Sequence, residues 1–169
     1  MPNTMTLISS VTVGSGGAST IGFTSIPSTY TDLKVLFSFR DNTASIWNNL
    51  LVTFNGSNTY AAKSLVGTGS GSAVSQSSSS NADRQYTNSN STTANFFGSG
   101  DLYIPNYTSS DTKTFSSDTV GENHAASSVI GMMAGSSSLT SAINAITFAV
   151  SGQSFLQYST AYLYGIKNS

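Results

Sequence analysis

The chain has 169 residues, a formal net charge of −1 and only 8% charged residues. One histidine and no cysteine leave few side chains for acid–base, thiol or metal chemistry, which argues against an enzyme. The six Lys and Arg residues are scattered, so the sequence lacks the basic cluster that nucleic-acid binding requires.

The first part of the chain contains three segments with strand-like alternation. Residues 4–13 and 19–24 alternate loosely on either side of a Gly-rich turn, which predicts a hairpin or a strand pair. Residues 32–40 alternate more regularly, and only Leu36 breaks the pattern. Residues 49–54 repeat it before a tight-turn dipeptide, Asn55-Gly56, so we expect the strands at 32–40 and 49–54 to pair antiparallel.

The middle of the chain is rich in Ser and Gly. Residues 67–93 are too polar to be buried, which predicts a long surface excursion. Short strands are then expected at 94–97, 101–107, 113–120, 127–134 and 143–150, and a helix at 139–146 is the less favoured alternative because it has no cap. About eight to ten short antiparallel strands within residues 1–169 predict an all-β fold, a single-domain β-sandwich or jelly roll.

The last segment, residues 154–169, predicts one long strand with alternating aromatic side chains. Tyr158, Tyr162, Tyr164 and Ile166 form one set, so a large side chain is exposed whichever face points inward. One reading is a central strand that is covered on both faces. The other is a subunit interface, where Tyr is favoured, and these four residues are its candidates.

Two short motifs suggest catalysis or phosphate binding but are incomplete. Residues 67–71 are Gly-rich yet lack the following helix and the lysine of a phosphate-binding loop. Residues 110–113 fit a Ser-x-x-Lys pattern without its companion motifs.

The remaining candidates for chemistry are one histidine and four acids. A triad would have to use His124 with Asp111 or Asp118, and a solvated loop histidine is the alternative. Asp101, Asp111, Asp118 and Glu122 could together hold Ca²⁺, although the spacing of a calcium loop is missing. The sequence therefore predicts no catalytic residue, no cofactor and no metal.

The chain ends and the low charge bear on location and assembly. The N-terminus has no basic region and its apolar run is short, and no apolar stretch reaches the length of a membrane span. This favours a soluble protein that is made in a cytoplasm and binds no membrane. Near-neutral charge weakens repulsion between copies, so we expect a homo-oligomer.

Several segments resemble a family of virion proteins from tailed bacteriophages of the marine and cyanophage type. They are FTSIPSTYTDL at 23–33, FFGSGDLYIPNY at 96–107, VGEN at 120–123, AITF at 145–148 and STAYLYGIK at 159–167. These segments are strand cores and turns without catalytic residues, and the resemblance extends over most of the chain outside 67–93.

The resemblance implies a virion protein, first of all a capsid cement or decoration protein that stabilises the head by bridging capsid subunits. Its partners would then be the major capsid protein or other virion proteins, and it would form a trimer by analogy with threefold lattice points. The alternative is a tail, fibre or receptor-binding component that contacts host glycans or surface protein, with residues 67–93 as its tip. A depolymerase ranks third, because it needs a pair of catalytic carboxylates.

Overall fold

The computed structural model describes residues 4–57, 60–69, 71–78, 85–123 and 127–167. This part of the chain contains twelve strands and no helix, and therefore no helix that could span a membrane. The strands are β1 (Met5–Thr12), β2 (Thr20–Phe23), β3 (Asp32–Phe39), β4 (Trp47–Phe54), β5 (Tyr60–Gly67), β6 (Val74–Ser78), β7 (Gln85–Asn88), β8 (Gly98–Ile104), β9 (Lys113–Glu122), β10 (Ser128–Ser137), β11 (Ile146–Val150) and β12 (Thr160–Ile166). The all-β prediction is confirmed, and the count among the described residues exceeds the expected eight to ten.

The strands form two sheets in which every strand pair is antiparallel. The larger sheet has eight strands in the order β1-β12-β3-β8-β9-β10-β5-β6, and the smaller has four in the order β2-β11-β4-β7. Each strand of the smaller sheet follows and precedes a strand of the larger sheet in the sequence, so the chain enters and leaves the smaller sheet at β2, β4, β7 and β11. The connections therefore wind around a common interior.

A cluster of aromatic rings joins the two sheets. Phe37 and Phe39 of β3 stack with their ring centroids 4.7 Å apart, and Phe148 of β11 lies 5.4 Å from Phe37 and 5.5 Å from Phe39. Each buried ring removes a large apolar area from water, and the tilted contacts add about 0.5–1.5 kcal/mol per pair. The inward-facing alternation predicted for residues 32–40 is confirmed, because every second side chain of β3 is buried.

A second aromatic cluster lies beneath β5, β9 and β10. Phe54, Tyr60 and Phe115 meet edge to face with centroid separations of 5.4 to 5.5 Å. The Tyr60 hydroxyl accepts the Phe54 N–H and donates to the Ser57 carbonyl, both at 3.0 Å. Burial raises the pKa of Tyr60 above its ordinary value, and the backbone hydrogen bond from Phe54 offsets part of that rise.

Two expected strand pairings are wrong. β1 and β2 do not form a hairpin, and β3 does not pair with β4, because in both cases the two strands belong to different sheets. Alternation with a period of two fixes which side chains point inward but not which strand lies next door. The tight turn after β4 is confirmed, since both Asn55 and Gly56 have the positive φ angles that such a turn needs, 50° and 76°.

The prediction of a surface excursion over residues 67–93 is wrong for residues 85–89, whereas residues 68–69 and 71–78 are mostly exposed. β6 and β7 lie within it, and residues 85–89 are all buried. Residue 70 and residues 79–84 lie outside the described residues. Burial is possible because the polar groups find partners: Asn88 Nδ2 donates to the Glu122 carbonyl at 2.9 Å, and its Oδ1 accepts the Glu122 N–H at 2.9 Å.

A buried carboxylate completes this polar region. Asp41 is fully buried, and its two oxygens accept the Ser89 hydroxyl at 2.9 Å and the Thr43 N–H at 2.7 Å. The backbone N–H of Asp41 also donates to the Asn88 carbonyl at 2.9 Å. This bond and the carboxylate's bond to Ser89 together join the end of β3 to the end of β7. Hydrogen bonds of this charge-assisted kind are about twice as strong as neutral ones.

Three shorter expectations also need correction. Residues 94–97 form a turn and coil where a strand was expected, and residues 139–145 are irregular, with neither the alternative helix nor the early start of a strand. The strand predicted for 154–169 is β12 alone, because Tyr158 has a φ of 72° that no strand residue adopts.

Candidate interaction surface

Exposed large hydrophobic side chains are concentrated on one side of the larger sheet. We call the side that faces away from the smaller sheet the outer face. Of the ten exposed large hydrophobic residues among the described part of the chain, eight lie on it. They are Met5, Leu7, Leu36, Leu65, Val120, Ile130, Met132 and Tyr162. Single exposed apolar residues are normal, but a shared face is typical of an interaction site.

The strand register explains how these residues come together. Across neighbouring strands, Leu36 lies opposite Asp101, Asp101 opposite Asp118, Asp118 opposite Met132, and Met132 opposite Leu65. Directly opposite residues of an antiparallel pair point to the same side of the sheet. One row of side chains therefore crosses five strands, from β3 to β5.

A neighbouring row adds Val120 of β9 and Ile130 of β10, which also lie opposite each other. With Leu36 and Met132 they line an open trough of about 630 Å³. Asp101 and Asp118 also line the trough, so its walls are apolar and two carboxylates lie within it. This arrangement suits a protein segment better than a small polar substrate.

The charges on the outer face are only partly paired. Lys34 Nζ lies 2.8 Å from an Asp101 oxygen, and both side chains are about one-third exposed. Asp118 is exposed directly opposite Asp101, and like charges in that position repel. Lys63 of β5 lines a second trough of about 480 Å³ together with Asp118, Leu65 and Met132. Within the described residues, neither Asp118 nor Lys63 belongs to a salt bridge.

The structure divides the four predicted interface residues. Tyr162, Tyr164 and Ile166 lie on the outer face, because the residues that alternate with them, Ala161 and Leu163, are completely buried. Leu7 lies opposite Tyr164, so the apolar surface continues onto β1 at that edge of the sheet. β12 is therefore not covered on both faces in the single chain, because its outer face is accessible to solvent. The subunit interface on that face stays a prediction.

Tyr158, the fourth candidate, lies elsewhere. It is 62% exposed on the loop before β12, and its side chain borders a groove of about 440 Å³ that Arg40, Asn42, Asn95 and Gln157 also line. Its backbone N–H donates to the Val13 carbonyl at 2.9 Å, which holds the loop in its left-handed conformation. Tyr158 is therefore separate from the outer face.

In the part of the chain that the structure describes, the other candidates for chemistry are not grouped into a metal site, and Lys113 has a structural role. Lys113 is buried and donates to the backbone carbonyls of Ser109 at 2.8 Å and Asp111 at 2.5 Å, so it holds a turn together. Desolvation lowers the pKa of Lys113, and the charge of Asp111 offsets part of the change. Among the residues that the structure describes, no three His, Cys, Asp or Glu side chains are grouped to hold a metal ion. His124 lies outside the described residues.

The sequence pattern gave only a weak signal for the apolar residues of the trough. Leu36 was the single break in the alternation of β3, and it is a trough residue because it points outward. Ile130 and Met132 stand at the outward positions of β10, where polar residues would normally be found. An apolar residue in the outward register of an alternating strand is therefore the feature that could have located this surface.

Comparison with known proteins adds no relative. No protein-family model, no curated protein and no solved structure matches this chain.

Proposed function

We propose that the chain is a non-enzymatic structural protein of a tailed-bacteriophage virion, which decorates the capsid and bridges its subunits. The observation that carries this proposal is the outer face, where eight exposed large hydrophobic residues share one side of a sheet. A monomer gains nothing from such a surface, whereas a subunit that is buried in an assembly does. The resemblance of the strand cores to virion proteins supplies the kind of assembly.

We also propose that the fold is a single-domain β-sandwich of the jelly-roll type. The supporting feature is the strand order, since β1-β12-β3-β8 and β2-β11-β4-β7 are two sets of four strands between which the chain repeatedly crosses. On this interpretation β5, β6, β9 and β10 are insertions that lengthen one sheet. They supply Leu65, Val120, Ile130 and Met132, half of the exposed apolar residues on the outer face.

Linkage between binding and stability explains how such a protein would strengthen a capsid. A protein that binds only the assembled capsid stabilises the assembled state by an amount set by its free concentration and its affinity. It needs area and complementary shape at several subunits, and it needs no reactive side chains. The low charge of the chain, 8% of residues, suits a surface that is dehydrated on assembly.

The test combines location and binding. Imaging of particles that carry a tagged subunit is expected to place the tag on the head lattice. Purified subunit is also expected to cosediment with capsids that lack it, and the outer-face variant Ile130→Thr is expected to cosediment less. Tyr158→Ser, which removes an exposed residue away from the outer face, is the matched control and should cosediment normally. A tag found only on the tail would contradict the proposal.

A tail or receptor-binding component is the second candidate, and one observation favours it. The groove beside Tyr158 combines an exposed aromatic ring with Arg, Asn and Gln side chains, the residue types that bind sugar hydroxyls and stack on sugar rings. A glycan array probed with the wild-type chain and with Tyr158→Ala tests it. Binding of one glycan class that is lost in the variant supports this function, and no binding together with unchanged host adsorption removes it.

A further inference from the structure

We propose that the outer face binds a second copy of this chain, with Asp118 of one copy next to Lys63 of its neighbour. This inference deepens the proposed function, because it rests on the same outer face and names one partner that the face takes. The contact centres on β9, β10 and β5. Met132 lies between the two charged residues in the sheet, and Leu65 lies beside it.

Opposite charges are separated on one surface. Asp118 lies on β9 and Lys63 on β5, with β10 between them and an offset of two residues along the strands, so the two side chains start about 12 Å apart. Both are exposed, and both line the second trough. At that spacing neither neutralises the other well, but each can meet the opposite charge on a second copy.

The outer face is complementary to itself in charge. A patch with charges of one sign repels its own copy, whereas this patch carries one unpaired acid and one unpaired base around an apolar centre. The net charge of −1 adds almost no long-range repulsion between copies. Met and Tyr, which both occur on the outer face, are enriched in the centres of protein interfaces.

The outer face is also large enough. Eight strands at about 4.8 Å spacing and about 8 residues in length give it roughly 1,000 Å². A standard stable interface buries about 800 Å² on each partner. The face is therefore large enough for a specific contact, and the apolar residues supply its affinity while the charge pairs fix its register.

The contact also relieves a repulsion within the chain. Asp101 and Asp118 lie opposite each other, and the salt bridge of Lys34, at 2.8 Å, is with Asp101. A lysine from a second copy at Asp118 gives the second carboxylate a cation of its own. The geometry fits a twofold axis, around which Asp118 of each copy meets Lys63 of the other.

The experiment is sedimentation equilibrium of the full chain and of three charge variants. The wild type is expected to form dimers at micromolar concentration. Asp118→Lys and Lys63→Asp each place like charges together, and each is expected to weaken association at least about tenfold. The double variant Asp118→Lys with Lys63→Asp restores opposite charges and is expected to associate within about threefold of the wild type.

Two controls keep the result interpretable. Lys167→Asp reverses an exposed lysine just beyond β12, and it should associate like the wild type. Thermal melting of every variant shows whether the fold is intact. Lys63→Asp and Lys167→Asp should change the melting temperature little, and the two variants that contain Asp118→Lys should melt no lower than the wild type because they remove the repulsion from Asp101. A wild type that remains monomeric, or a double variant that fails to associate, overturns the inference. A monomer that still binds capsids overturns this inference and leaves the proposed function standing.

Discussion

Gly135→Ala tests how tightly the larger sheet is packed against the aromatic cluster beneath it. Gly135 of β10 lies directly opposite Phe115 of β9, and the Phe115 ring covers it. A Cβ atom at Gly135 would lie 2.4 Å from Phe115 Cζ, whereas ordinary carbon–carbon contacts are about 3.5–4.0 Å. The ring cannot move aside easily, because Phe54 and Tyr60 contact it edge to face.

The expected cost follows from two opposing effects. Forcing one methyl group into a closed core costs about 1–3 kcal/mol. Replacing a strand glycine with alanine returns roughly 0.5–1 kcal/mol of backbone entropy. The net loss is about 1–2 kcal/mol, which for a chain of this size lowers Tm by roughly 2–8 °C.

Urea unfolding followed by circular dichroism measures this loss. Gly16→Ala is the matched control, because a Cβ there meets no atom within 4 Å and its stability should change by less than about 0.5 kcal/mol. Phe115→Leu with Gly135→Ala should cost less than the sum of the two single changes, since the smaller side chain makes room. Equal unfolding midpoints for Gly135→Ala and Gly16→Ala would refute the packing argument.

Three further changes test other parts of the molecule. Burial raises the pKa of Tyr60, so the stabilisation of the fold by its neutral hydroxyl is complete below pH 10 and is lost as the pH rises further. Tyr60→Phe should therefore cost about 1 kcal/mol at neutral pH and should flatten the decline of the urea midpoint at alkaline pH. An unchanged slope would contradict this. Asp41→Ala should cost about 2–3 kcal/mol in urea unfolding, because two donors lose a buried carboxylate, and a cost below 0.5 kcal/mol would refute that role. Lys34→Met should destabilise by up to about 1 kcal/mol at low salt, because it removes the ion pair with Asp101 and leaves the repulsion between Asp101 and Asp118 unscreened. The loss should shrink in an Asp118→Asn background, and an equal loss in both backgrounds would contradict the role of that repulsion.

The sequence determined which side chains point inward more clearly than it determined strand neighbours. The alternation of β3 and β4 identified their buried faces, including the side chains that build the aromatic core. It did not place these strands in different sheets, because a buried face looks the same whichever sheet carries it. Neighbours are set by contacts distant in sequence, such as the pairing of β3 with β12 and β8.

The polar strand β7 could not have been predicted from composition. Its residues look like a surface loop, yet they are buried because several of their hydrogen-bonding groups meet partners far along the chain. Tyr86 N–H donates to Thr119 Oγ1 at 3.1 Å, and the Ser117 hydroxyl donates to Gln85 Oε1 at 2.9 Å. Burial of polar residues is decided by such long-range partners, which local sequence does not contain.

The terminal tyrosines show the same limit for the candidate site. Alternation predicted correctly that Tyr162 and Tyr164 share a face, but it also extended the strand back to Tyr158. A positive φ at a tyrosine depends on the hydrogen bond to Val13, a residue at the other end of the chain. The sequence therefore located the β12 part of the outer face and assigned Tyr158 to it, which belongs to a separate groove.

The arrangement on β8 and β9 is the strongest physical reason to expect a partner on the outer face. A chain selected only for its own stability would avoid two aspartates directly opposite each other, because Asn or Thr at Asp118 would remove the repulsion at no cost in burial. Local conflicts of this kind are expected where a surface serves binding. Asp118→Asn should therefore raise the free energy of unfolding by up to about 1 kcal/mol while weakening self-association. A variant that is no more stable than the wild type and associates equally well would show that the aspartate serves no partner.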